Sequence, residues 1–117
     1  MATSEFNIGY GKKAQTFTPT KYITSITARR HGDTVTLIFY DLKNLNEMSQ
    51  GTPVDVYTLP EEFRPMGEIR QTFVLAESTA RIYRISVYPD GKIQMWIYFT
   101  TTASAAVNNH TSMTYPK

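Results

Sequence analysis

Between Arg81 and Phe99 the chain reads RIYRISVYPDGKIQMWIYF. Five of its residues, Arg84, Tyr88, Gln94, Trp96 and Tyr98, are of the types that handle sugars. Flat aromatic rings pack against the apolar faces of sugar rings, while guanidinium and amide groups fix the hydroxyls. The same residue types also dominate contacts between protein subunits, and aromatic rings equally fill the space between two packed sheets. Three readings of the group therefore stand: a saccharide site, a subunit interface, or the inner face of a sandwich. The side of the strands on which each ring stands decides between them.

Other chemistry-bearing residues are fewer. His110 lies in VNNHTS beside Asn108 and Asn109, the best polar cluster near the C-terminus and a second candidate for ligand contact. His31 sits next to Asp33 at an expected hairpin tip and reads as a solvated loop residue. Neither histidine has metal-ligand spacing to another donor. Glu61 and Glu62 are adjacent and diverge in direction, whereas glycosidases hold two carboxyls across a bond at roughly 5–10 Å. There is no cysteine, which excludes disulfides, zinc–thiolate sites and thiol nucleophiles. No Gly-x-Ser-x-Gly elbow or glycine-rich phosphate loop occurs, and NIGYGKK lacks the spacing and hydroxyl of a P-loop. Asn109-His110-Thr111 matches a glycosylation sequon by coincidence. The expectation is a non-enzymatic protein without metal or cofactor.

The elements that must position these residues are strands. Pro89-Asp90-Gly91 closes a hairpin as a three-residue loop, Pro suiting the type I turn and Gly the left-handed position after it. That register puts Val87/Ile93, Ile85/Met95, Tyr83/Ile97 and Arg81/Phe99 on one face, the core side. Tyr88/Lys92, Ser86/Gln94, Arg84/Trp96 and Ile82/Tyr98 share the other, with Arg84 able to stack on Trp96. A two-residue loop would mix polar and apolar on both faces, since a one-residue slip flips every side chain.

Elsewhere, KYITSITARRHGDTVTLIFYDL reads as a second hairpin about Arg30-His31-Gly32-Asp33. Val35, Leu37 and Phe39 form its apolar set, opposed by Ile26 and Ala28. VDVYTL is a short strand ended by Pro60. EIRQTFVLAE is another, joined through a tight Ser78-Thr79 turn to the Arg81–Phe99 hairpin. KNLNEMSQGTP is a loop, Thr100 to Asn109 is a loop over one end, and His110 to Tyr115 is a last strand. Residues 1–20 show no sustained period and read as a tether or an edge segment ahead of a domain at 21–117. No helix signal exceeds a turn. Short strands spaced by turns predict an all-β antiparallel sandwich or barrel.

The chain has 117 residues, 41% of them hydrophobic, enough for one domain with its own core and too few for two. No run is long or apolar enough for a membrane helix, and the opening residues lack the basic and apolar regions of a secretory signal. Net charge is +2, too small and too dispersed to indicate nucleic-acid binding.

Three segments in order, ITARRHGDTVTL, YTLPEEFRP and RISVYPDGKIQM, resemble the C-terminal head domain of tail-fibre and baseplate receptor-binding proteins from phages of Gram-positive bacteria. In such heads a Leu-Pro-x-x-Phe-Arg-Pro segment precedes a strand pair closed by Asp-Gly, and the chain ends in a short strand containing Tyr. Leu59, Pro60, Phe63, Arg64, Pro65, Asp90, Gly91 and Tyr115 are the matching positions, within a resemblance spanning Tyr22 to Tyr115. It implies a homotrimeric β-sandwich or barrel head at the tail tip or baseplate of the virion, binding host cell-wall or surface polysaccharide and joined to other tail proteins. The chain reads as an excised head or a small stand-alone relative, because the long N-terminal shaft or anchor of a whole fibre protein is missing. In the physical reading, Pro60 and Pro65 punctuate a segment that cannot be a central strand. Phe63 plugs one end of the core, and Arg64 can bond carbonyls or a carboxylate. Two alternatives remain open: a structural virion domain whose aromatic face packs on another protein, and a single-strand nucleic-acid binder of OB type.

Overall fold

The computed structural model describes residues 3–7, 12–44, 47–75, 81–99 and 107–117. Its strands are β1 (Thr3–Asn7), β2 (Lys12–Phe17), β3 (Ile23–His31), β4 (Thr34–Leu42), β5 (Val54–Thr58), β6 (Ile69–Leu75), β7 (Arg81–Val87), β8 (Lys92–Phe99) and β9 (Val107–Pro116). They build two antiparallel sheets, five-stranded β1-β2-β3-β4-β9 and four-stranded β5-β8-β7-β6. Among the described residues no strand pairs from one sheet into the other, so the architecture is a sandwich rather than a closed barrel.

The alternation that marks each strand also makes the core. Val35, Leu37 and Phe39 point inward from β4, opposite Ile26 and Ala28 of β3, and all five are buried. From the second sheet Tyr83, Ile85 and Val87 of β7 and Ile93, Met95 and Ile97 of β8 close the same cluster. Two contacts fix how the sheets lie over each other. Phe17 of β2 meets the Tyr57 ring of β5 with centroids 5.0 Å apart, and the Tyr83 hydroxyl of β7 donates to Thr111 Oγ1 of β9 at 3.3 Å.

Both hairpins follow their turn residues. Gly32-Asp33 links His31 to Thr34, with Gly32 at φ +61°. At the second, the Gly91 N–H donates to the Tyr88 carbonyl at 2.8 Å and Tyr88 N–H to the Lys92 carbonyl at 3.0 Å. Gly91 itself is left-handed at φ +89°, as a three-residue loop requires. Pairing then runs Val87–Ile93, Ile85–Met95, Tyr83–Ile97 and Arg81–Phe99, with Arg84 beside Trp96 on the alternate face.

Two boundaries differ from the sequence reading. Of the two readings of residues 1–20, a tether or an edge segment, the structure shows the second, and the domain starts before residue 21: β2 pairs along β3 from Lys12 to Phe17 and buries Ala14 and Phe17, while β1 forms a sheet edge. The signal of β2 is hidden because Gln15, a polar residue, occupies an inward position opposite Ala28 and is 8% exposed. The last strand begins at Val107, earlier than His110, since Val107 already pairs with Leu42 beyond an irregularity in β4. The Ser78-Thr79 turn and residues 100–106 lie outside the described residues.

The Leu-Pro-x-x-Phe-Arg-Pro segment makes a corner. Pro60 precedes a 3-10 turn at Glu61–Phe63, whose Phe63 is buried and meets Phe17 edge-on at 6.2 Å. Arg64 folds back so that its Nε donates to the Leu59 carbonyl at 2.9 Å. The Leu59 N–H donates to the Gly91 carbonyl at 2.8 Å. Tyr115 reaches in from β9 and donates its hydroxyl to the Phe63 carbonyl at 2.5 Å. Pro65 is buried beside them, and Asp90 Oδ1 accepts the Lys92 N–H at 3.0 Å, steadying the neighbouring turn. On the outside of the corner Lys13 pairs with Glu62 at 2.6 Å. Segments separated by dozens of residues thus share one hydrogen-bonded joint.

Candidate functional site

The face of β7 and β8 opposite the core carries Arg84, Ser86, Gln94, Trp96 and Tyr98, with Tyr88 just past the end of β7. It is the outside of the molecule: Tyr98 is 48% exposed, while Tyr83, Ile85, Met95 and Ile97 on the other face are fully buried. The reading of these aromatics as the inner face of a sandwich is therefore wrong. β5 and β6 flank the hairpin on either side and complete the surface.

Trp96 is the centre of a stack. The Arg84 guanidinium carbon lies 4.6 Å from the centre of the indole ring, as cross-strand pairing of the two residues allows. Tyr98, two positions along β8, lies nearly parallel to the indole, with centroids 5.0 Å apart and planes 17° apart. A cation and a phenol thus both pack against the indole, which is itself partly buried. The ring open to solvent is Tyr98. The 47–53 loop walls this pair: the Gly51 N–H donates to the Ile97 carbonyl at 2.9 Å, and a Cβ at Gly51 would meet Trp96 Nε1 at 3.9 Å and Tyr98 Cε1 at 4.0 Å. At φ +78° that position favours glycine.

Toward the turn the surface becomes polar and ordered. The Tyr88 hydroxyl donates to Gln94 Oε1 at 3.0 Å, and Gln94 Nε2 donates to Asp55 Oδ1 of β5 at 2.8 Å. Asp55 Oδ2 lies 3.9 Å from the Lys92 ammonium. The amide is thereby held in one orientation, its oxygen toward the phenol and its nitrogen toward the carboxylate. On the far side Arg70 of β6 pairs with Glu68, and that hydrogen bond raises the guanidinium pKa above its ordinary value.

Between these groups lies a hollow of about 220 Å³ lined by Pro53, Arg70, Arg84, Ser86, Tyr88, Gln94 and Trp96. A broader trough of about 550 Å³ adjoins it at the turn, lined by Tyr88, Pro89, Asp90, Lys92 and Gln94. Aromatic edge, guanidinium, hydroxyl and amide converge on the hollow. Those groups can bind and orient a hydroxyl-rich ligand.

The structure thus brings Arg84, Tyr88, Gln94, Trp96 and Tyr98 onto one surface. Asn109 and His110 belong to β9 in the other sheet, His110 pairing with Tyr40, and their side chains lie outside the described set. Leu59, Pro60, Phe63, Arg64 and Pro65 form the corner described above, on the core side of the hairpin turn. Sequence reasoning missed Pro53, Asp55, Arg70 and Ser86 as site residues. Ser86 and Arg70 were reachable, because hairpin pairing sets Arg70 beside Ser86 on the face of Gln94. Asp55 was not, since nothing local says that β5 lies against β8.

A scan against protein-family models and a search of curated proteins both find no match for this chain.

Proposed function

We propose that the protein is a receptor-binding head of a phage tail fibre or baseplate. In this reading it is a homotrimer at the virion's tail tip and adheres non-covalently to host cell-surface saccharide. One observation carries the binding role: the exposed ring of Tyr98 extends the Arg84–Trp96 stack on the outer face, beside a hollow walled by guanidinium, hydroxyl and amide groups. That combination is suited to a pyranose, whose apolar face lies on the ring while its hydroxyls meet the polar wall. The resemblance of three ordered segments to phage head domains supports the biological setting. Weak single-site affinity is raised when several heads engage one surface.

The test is binding of the purified protein to polysaccharide extracted from Gram-positive cell walls, followed by calorimetry or by retention on the immobilised glycan. Binding is expected for at least one wall polysaccharide, with at least a tenfold loss in Tyr98→Ala. Failure of the wild-type protein to bind any wall preparation, alongside capture of another virion protein by the same face, would replace adhesion with a structural role.

A further inference from the structure

The hollow and the trough are not separate sites. Tyr88 and Gln94 line both, so the two run end to end along the hairpin as one groove. Its floor is set by strand geometry: Trp96, Gln94 and Lys92 alternate onto the same face, and at roughly 3.3 Å per residue they span about 13 Å. A single sugar ring cannot fill that length. The chemistry also changes along it, from Trp96, Arg84 and Arg70 at one end, through the fixed Tyr88–Gln94–Asp55 chain, to Lys92 and Asp90 at the turn. The turn end is unwalled, with Pro89 and Asp90 exposed. A pocket for a terminal sugar is closed behind its ligand. This one lets a chain continue.

Charge narrows the ligand further. Three cations border the groove, Arg70, Arg84 and Lys92, against three anions, Glu68, Asp55 and Asp90. Arg70 is held by Glu68 and Lys92 lies 3.9 Å from Asp55, while Arg84 rests on the indole. Nothing here asks for a polyanion. We propose that the groove takes two or more successive sugars of an uncharged polysaccharide lying along β8, its chain continuing past the open hairpin turn. This rests on the saccharide-binding reading above and adds the ligand's form and charge.

The experiment uses one wall polysaccharide that the 117-residue protein retains, cut by partial acid hydrolysis and sized into mono-, di-, tri- and tetrasaccharide pools. Each pool competes with the intact polymer for the protein, at 50 and at 500 mM NaCl. Competition is expected to strengthen at least tenfold from mono- to trisaccharide and then level off, with less than a threefold change between the two salt concentrations. Lys92→Gln, checked for an unchanged circular-dichroism spectrum, should cut the trisaccharide's advantage at least threefold. A monosaccharide pool that competes as well as the trisaccharide would overturn the groove while leaving saccharide adhesion intact. Steep weakening with salt, as in polyanion binding, would overturn the uncharged ligand. No retention of any intact polysaccharide would instead remove the adhesion reading itself.

Discussion

The hydroxyl of Tyr115 donates to the backbone carbonyl of Phe63 at 2.5 Å, across 52 positions of sequence and in the buried interior. It ties the final strand to the 3-10 turn, whose Phe63 side chain fills the end of the core. Removing the hydroxyl leaves a buried carbonyl without its donor, a loss of about 1–3 kcal/mol. Tyr115→Phe is accordingly expected to lower the urea midpoint with an unchanged m-value, because the surface exposed on unfolding stays the same. An unaltered midpoint would show that water replaces the phenol at that carbonyl.

Gly91 and Gly32 close the two hairpins and differ in what surrounds them. A Cβ at Gly91 would stand 2.4 Å from the Leu59 carbonyl oxygen and 2.7 Å from Arg64 Nε, at φ +89°. At Gly32, φ is +61° and nothing lies within 4 Å. Gly32→Ala pays only the left-handed penalty of about 1–2 kcal/mol. Gly91→Ala adds a backbone clash that the Leu59–Arg64 corner cannot relieve without moving, for a total of at least about 3 kcal/mol. Equilibrium unfolding of the two variants is expected to rank them in that order, and equal losses would mean that the corner yields easily.

What could be read from the sequence was local. Pro89-Asp90-Gly91 and Gly32-Asp33 fixed two registers, and alternation then sorted Trp96 and Tyr98 from Tyr83 and Ile97 without any long-range information. The 12–17 strand escaped because Gln15 takes an inward place and Ala14 is too small to signal burial; pairing with β3, not its own pattern, makes it a strand. Asp55 escaped for a related reason. Its contact with Gln94 bridges 39 positions, and only the completed sheet order brings β5 beside β8. The stack on Trp96 was half legible: cross-strand pairing placed Arg84 there, but Tyr98's side-by-side packing depends on rotamers that no spacing rule supplies.

Stability should fall at alkaline pH through the tyrosines. Burial raises the phenol pKa of Tyr115, Tyr83 and Tyr57 above the ordinary 10.0; for Tyr83 the hydrogen bond to Thr111 offsets part of that rise. The folded state therefore holds these protons more tightly than the unfolded chain. Their contribution is complete below pH 10.0, the unfolded value, and is lost as pH rises from there through the folded values. Thermal unfolding followed from pH 8 to 12 should show a flat region and then a decline setting in near pH 10. Tyr115→Phe should make that decline shallower while starting from a lower melting temperature. A decline of the same slope in the variant would assign the effect to other groups.

Trp96 and Tyr98 separate the two roles left to the outer face. Trp96→Ala removes the surface on which both Arg84 and Tyr98 stack, at a cost of about 1–3 kcal/mol from the lost cation–π and ring contacts. Tyr98→Ala takes away a half-exposed ring at the end of the stack and should cost less than about 1 kcal/mol. If the face holds saccharide, light scattering coupled to size exclusion should give a trimer for the wild-type protein and for both variants, while each loses retention on wall polysaccharide. Tyr98→Ala is the sharper probe, because its folding cost is small and its ring is the open one. A variant that elutes as a monomer with an unchanged circular-dichroism spectrum would make this face a subunit interface. The saccharide assignment would then have to leave the hairpin, and Asn109 and His110 on β9 would be the next residues to replace.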